Sequence, residues 1–149
     1  MFTGLNQTLN TFASQARGAG NKEECGVYLN KARIVLMSGF LIVLPIEIFS
    51  GSIMRAIGQD SDVSSYTTIY CISSFPGIVA LGYIDLERNF LYSYERSDIS
   101  LKVMLISPLI HFPVCYFLAV NCNMGIYGIG LAELLTNSLI FAVQHYFLE

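Results

Sequence analysis

The chain has 149 residues, of which 54% are apolar and only 13% are charged, and its mean hydropathy is +0.55. Globular proteins carry roughly 25% charged residues, so these charges are too few to cover the surface of a water-soluble domain. A net charge of −3 gives no basis for binding nucleic acid or an acidic substrate. The four cysteines form no CxxC pair and have no histidine at metal-ligand spacing, so we expect neither a metal nor a cofactor.

The apolar stretches of the chain are predicted to be membrane helices, at residues 1–16, 34–54, 66–84, 103–120 and 124–147. The first is short for a span, and we expect it to be the second half of a helix that ends at the glycines of residues 18–20. An amphipathic link at 22–33 follows it. One such run could be the buried helix of a soluble protein, but four long runs in a row favour an all-α, polytopic membrane helix bundle.

Lysine and arginine are concentrated in two of the predicted links. Seven of the eight basic residues lie at 17–33 or 85–102, and Arg55 is the exception. Because basic residues are enriched in cytoplasmic loops, these two links are predicted to face the cytoplasm. The links at 55–65 and 121–123 are then predicted to face the opposite side.

Two carboxylates, Glu47 and Glu133, fall inside predicted spans. A carboxylate near the bilayer centre costs about 2.5 kcal/mol or more unless it is protonated, paired or hydrated. Each is therefore a candidate for function, and the alternative is a protonated carboxyl that bonds a neighbouring helix. This alternative is favoured for Glu47, which lies nearer the outer end of its span. Glu133 is the stronger candidate, because Asn137 and Gln144 lie on nearly the same face of its helix.

The preceding helix carries His111 and Cys115 four residues apart on one face, with Pro113 between them. The short link at 121–123 predicts that this helix packs antiparallel to the last one. We therefore predict a site that binds a proton or cation, formed by Glu133, His111, Cys115 and Asn137. His111 alone could equally be a packing residue.

Polar side chains inside a membrane must face protein or water. On this basis we predict that further polar residues line a cavity: Asn10, Thr11, Gln15, Glu47 and Gln144. The sequence contains no paired nucleophile and base, no phosphate loop and no HExxH motif, so we do not expect an enzyme.

Several motifs, in order along the chain, resemble the multidrug and toxic compound extrusion (MATE) transporters. The region around the second and third helices of that family is similar to Ser-Gln-Ala at 14–16, Gly-Ala-Gly-Asn at 18–21 and Cys-Gly-Val-Tyr-Leu at 25–29. Later matches are Ile-Gly-Gln-Asp at 57–60, Pro-Gly at 76–77, Phe-Leu at 90–91 and His-x-Pro at 111–113. The resemblance covers essentially the whole chain.

This resemblance implies a secondary active transporter that exchanges H⁺ or Na⁺ for organic, often cationic, compounds by alternating access. The chain would supply helices two to six of the first lobe, and a first helix and a second lobe would be its partners in the lipid bilayer. Cys115 and Glu133 depart from the residues common in the family, and Glu133 would supply the titrating carboxylate. The alternatives are an inactive or half-size module that needs a partner lobe, and a lipid-linked oligosaccharide flippase of the same superfamily. Plasma and organelle membranes both remain open.

Overall fold

The computed structural model describes residues 2–94 and 96–147, and in this part of the chain every regular element is helical. The elements are α1 (Phe2–Gly18), α2 (Lys22–Ile48), α3 (Ser50–Ala56), α4 (Ser61–Ser93), α5 (Ser97–Tyr116), a π-helical turn (Phe117–Asn121) and α6 (Gly125–Tyr146). The predicted all-α class is confirmed. Met1, where the first predicted span begins, lies outside the described residues.

Three helices in the described part of the chain are long and apolar enough to cross a membrane: α4, α5 with its π-helical turn, and α6. Residues from Glu23 to the end of α2, together with α3, make a fourth such segment, bent by 50° at Phe49. Large apolar side chains point away from the bundle, and Leu109 and Phe112 of α5 are 73% and 74% exposed. A surface of this kind suits a lipid environment.

The turn between α1 and α2 is set by two residues. Gly20 has a φ of +78°, a conformation that glycine adopts without steric cost. Asn21 then caps α2, because its side chain accepts a hydrogen bond from the backbone N–H of Glu24 at 3.2 Å. Helices α1 and α2 pack together and against α4, around a core that contains Ala13, Cys25, Leu29, Leu36, Phe40 and Leu86.

The polar links are shorter than their composition suggests. Between α3 and α4 only four residues are non-helical, because Asp60 accepts a hydrogen bond from the N–H of Asp62 at 2.8 Å and begins α4 at Ser61. Helix α4 continues through the polar residues after position 84 as far as Ser93. Within this part of the helix, Arg88 pairs with Asp85 one turn earlier.

Helices α4 and α6 approach closely through small residues. A Cβ on Gly77 of α4 would lie 2.9 Å from the backbone nitrogen of Leu134. A Cβ on Gly130 of α6 would lie 2.8 Å from the backbone of Ser73, and Ala132 is fully buried. Such contacts bring helix backbones together in membranes, and this close packing positions the polar face of α6 against α4.

Candidate functional site

A cavity of about 300 Å³ lies between α4, α5 and α6. Three of the residues predicted to bind a proton or cation line it: His111 from α5, and Glu133 and Asn137 from α6. The other lining residues are Tyr70, Leu81, Ser107 and Ile129. We call this space the Glu133 cavity.

The helical repeat explains why these side chains meet. Glu133 and Asn137 are four residues apart on α6, and Ser107 and His111 are four apart on α5, so each pair lies on one helix face. The short connection after the π-helical turn brings the two faces together, and α5 packs on α6. The antiparallel packing predicted from that connection is therefore found.

Hydrogen bonds orient two of the three site residues. The His111 Nδ1 lies 3.4 Å from Oγ1 of Thr136, which is buried in α6. The Asn137 side-chain amide donates to the carbonyl oxygen of Gly77 at 3.0 Å. This bond joins α4 and α6 at the close contact that Gly77 makes, so it couples the site to the helix packing.

The cavity combines an imidazole, a carboxylate and an amide with a serine and a tyrosine hydroxyl. Each of these groups can accept a hydrogen bond from bound water or donate one to it. Carboxylate, amide and hydroxyl oxygens are also the ligands that hard cations such as Na⁺ prefer. The arrangement can therefore hold a proton or a small cation next to Glu133.

The remaining predicted site residues lie elsewhere. Cys115 is half-buried one turn beyond His111 and is not among the residues lining the Glu133 cavity. Glu47 is on α2, just before the bend at Phe49 and near Cys71 of α4. Gln144 is buried near the end of α6 and donates to the carbonyl oxygen of Ile84 at 2.7 Å.

The predicted polar residues of the first span lie on α1. Asn10 is half-buried, whereas Thr11 and Gln15 are exposed, and the Thr11 hydroxyl donates to the carbonyl oxygen of Gln7 at 3.1 Å. In the described part of the chain α1 packs on α2 and α4 and does not contact α5 or α6, which help to line the Glu133 cavity. A role for these three residues in lining a cavity stays a prediction.

A buried carboxylate that the sequence analysis missed lies at one end of the bundle. Glu87 of α4 is fully buried, and its Oε1 accepts a hydrogen bond from Arg33 of α2 at 3.1 Å. The same oxygen lies 2.8 Å from Nδ1 of His145 on α6. The polar composition of residues 85–102 predicts a link, and in a link Glu87 would be a solvent-exposed residue and not a site residue. Leu86 and Phe90, apolar and four residues apart, were the signal that α4 continues there.

The same end of the bundle brings together the two links that are rich in basic residues. The Arg17 guanidinium donates to the carbonyl oxygen of Ser93 at 2.6 Å and lies 5.2 Å from the centre of the Tyr94 ring. The end of α1 is therefore held against the end of α4. The basic residues of both links share one end of the molecule, as the orientation argument requires; the side of the membrane stays a prediction.

The fold and the polar cavity between its apolar helices define a multi-pass integral membrane protein. The MatE family model matches residues 1–117, and the chain belongs to this family, which the sequence motifs already resembled. Protein DETOXIFICATION 29 from Arabidopsis thaliana is 30% identical over 128 residues, which are 86% of this chain and 26% of the relative. Protein DETOXIFICATION 30 from the same plant is 29% identical over 140 residues, 94% of this chain and 28% of the relative. The chain thus spans about a quarter of these relatives' length.

A solved structure supports the same fold. The inward-facing conformation of a multidrug resistance MATE family transporter superposes with a TM-score of 0.89 and covers 98% of this chain. The sequence identity is 14%, and the match covers 33% of that transporter. The helix arrangement is therefore shared even where the residues differ.

Proposed function

We propose that this chain is part of the first lobe of a secondary active transporter that exports organic compounds in exchange for H⁺ or Na⁺. It would work by alternating access, together with a first helix and a second lobe of the kind that the family resemblance implies. Family membership supports transport as the activity. The meeting of Glu133, His111 and Asn137 in one cavity supports ion coupling at this place.

In this proposal Glu133 is the group that loads and unloads the coupling ion. A carboxylate inside a membrane is costly when it is charged and alone, so it favours binding of a proton or cation. His111 and Asn137 supply further ligands or hydrogen bonds, and the Gly77 carbonyl holds Asn137 in place. Since Asn137 also bonds across the α4–α6 contact, a change in ion occupancy can be transmitted to the packing of these two helices.

The test is efflux from vesicles that contain the complete transporter with Glu133→Gln. The amide keeps the size of the side chain and cannot bind or release a proton. We therefore expect the rate of coupled efflux of a fluorescent organic cation to fall about tenfold or more, which corresponds to a free-energy difference of about 1.4 kcal/mol. Glu23→Gln is the matched control, because Glu23 is exposed at the start of α2. Efflux that is unchanged in Glu133→Gln would contradict the proposal.

The same vesicles identify the ion. Efflux is measured with a proton gradient and no sodium, and then with a sodium gradient at equal pH on both sides. The coupling ion is identified by the gradient that drives efflux by the wild-type protein but not by Glu133→Gln.

A further inference from the structure

A second cavity, of about 160 Å³, lies between the same three helices next to the Glu133 cavity. Leu81, Ser107 and Asn137 line both cavities, so the two are neighbours along the helix axes. The second cavity extends to Arg88 of α4, at the basic end of the bundle. We call the two spaces together the polar seam.

On α5 the polar seam follows His111, Ser107 and Ser100. These positions are four and then seven residues apart, which keeps them on one face of a helix over about 16 Å at 1.5 Å per residue. Ser100 lies within the first turn of α5, which begins at Ser97. One face of α5 therefore carries polar groups at three levels from His111 to the start of the helix, with Val103 and Met104 lining the second cavity between Ser100 and Ser107.

On α6 the seam follows Glu133, Asn137 and Gln144. Their spacing is also four and then seven, and α6 runs antiparallel to α5. Gln144 is two residues from the end of α6 at Tyr146. Both helices therefore present polar groups at matching distances, beginning at the Glu133 cavity and ending at the same end of the bundle.

The Ser100 hydroxyl indicates what occupies the seam. Ser100 is 1% exposed and lines the second cavity, and its Oγ has no hydrogen-bond partner in the described part of the chain. Buried hydroxyl groups are almost always bonded to protein or to ordered water. At about 30 Å³ per water molecule, this cavity has room for roughly five.

We propose that the polar seam holds a file of water molecules that connects Glu133 with the aqueous phase at the basic end of the bundle. This path rests on the proposed function with H⁺ as the coupling ion, because it supplies Glu133 with a proton from that side. The proton passes as hydronium from water to water, and Glu133 receives it at a carboxylate oxygen. The titratable and charged groups along the path are Tyr70 and His111 beside Glu133, and Arg88 with Asp85 at the outer end.

Arg88 does not close this path by its charge. Its guanidinium pairs with the Asp85 carboxylate, and both side chains are partly exposed, at 27% and 29%. The pair is neutral as a whole and in contact with solvent at the basic end. Water therefore reaches the second cavity beside a compensated ion pair.

Thiol labelling tests for water in the seam. The native cysteines are replaced by alanine, and single cysteines are introduced in the protein in lipid vesicles as Ser100→Cys or Ser107→Cys. Leu109→Cys is the control on the same helix, since Leu109 is 73% exposed on the apolar surface. The reagent is aminoethyl methanethiosulfonate, which reacts with the hydrated thiolate, and the modified fraction is followed by mass spectrometry.

We expect both serine positions to react about tenfold faster or more than the control, because a thiolate forms in water and not in lipid. Rates equal to the control at both positions, in protein whose circular dichroism is unchanged, would overturn the proposal. The result is independent of the efflux test. Rapid labelling with efflux unaffected by Glu133→Gln would support the water path and refute the coupling role, and the reverse pattern would refute the path alone.

Discussion

The contact between α4 and α6 at Gly77 gives a quantitative prediction for Gly77→Ala. The added methyl group would lie 2.9 Å from the Leu134 nitrogen and 3.0 Å from the Glu133 carbonyl carbon, closer than real Cβ contacts. Two of the three nearest atoms belong to the α6 backbone, so the helices must move apart. Overpacking of this kind costs about 1–3 kcal/mol. Separation also weakens the bond from Asn137 to the Gly77 carbonyl, worth about 0.6 kcal/mol in membranes.

Gly26→Ala is the matched control, because a Cβ at Gly26 meets no atom within 4 Å. Both substitutions gain helix propensity of up to about 1 kcal/mol, so the difference between them isolates the packing. We expect Gly77→Ala to be less stable than Gly26→Ala by about 2–4 kcal/mol, the sum of strain and the lost hydrogen bond.

The assay is unfolding of the purified protein by sodium dodecyl sulfate in mixed micelles. The chain contains no tryptophan, so circular dichroism reports the unfolding transition. Equal free energies of unfolding for Gly77→Ala and Gly26→Ala would refute the reasoning, because it would mean that α4 and α6 are not in backbone contact at this point.

Three further outcomes are measured by the same unfolding assay. Arg33→Met leaves the buried Glu87 with one partner fewer, so we expect the free energy of unfolding to fall by about 3 kcal/mol. The double variant Arg33→Met with Glu87→Met should recover most of this loss. A double variant as unstable as Arg33→Met alone would contradict this reasoning. Gly20→Ala should lower the free energy of unfolding by about 1 kcal/mol, because the φ of Gly20 is +78°. Gly18→Ala should not lower it, because Gly18 is helical and a Cβ there meets no atom within 4 Å. Equal effects of the two substitutions would show that the turn is not as described. Gln144→Leu should cost about 1 kcal/mol through its lost bond to an α4 carbonyl, and an unchanged stability would mean that this bond contributes nothing.

The Glu133 cavity was largely predictable from the sequence because its geometry is local. Glu133 and Asn137 follow the helical repeat, and a short connection is enough to bring His111 opposite them. Cys115 satisfies the same repeat but lies one turn beyond the lining residues. Spacing predicts the face on which a residue lies, but it does not predict how far along the helix a cavity extends.

The Glu87 cluster was not predictable in this way. Its partners Arg33 and His145 are 54 and 58 residues away along the chain. No periodicity relates them, since their meeting depends on how α2, α4 and α6 pack. Polar composition also obscured the site, because charged residues at a helix end resemble a solvent-exposed link.

Glu87 has a mechanical consequence. Three helices share one carboxylate that is fully buried, so sliding or rotation of α2 or α6 alone would remove one of its two partners, at a cost of about 3 kcal/mol. This cost couples the positions of α2, α4 and α6 at the basic end of the bundle. A displacement of one of these helices at the basic end would then move the other two with it.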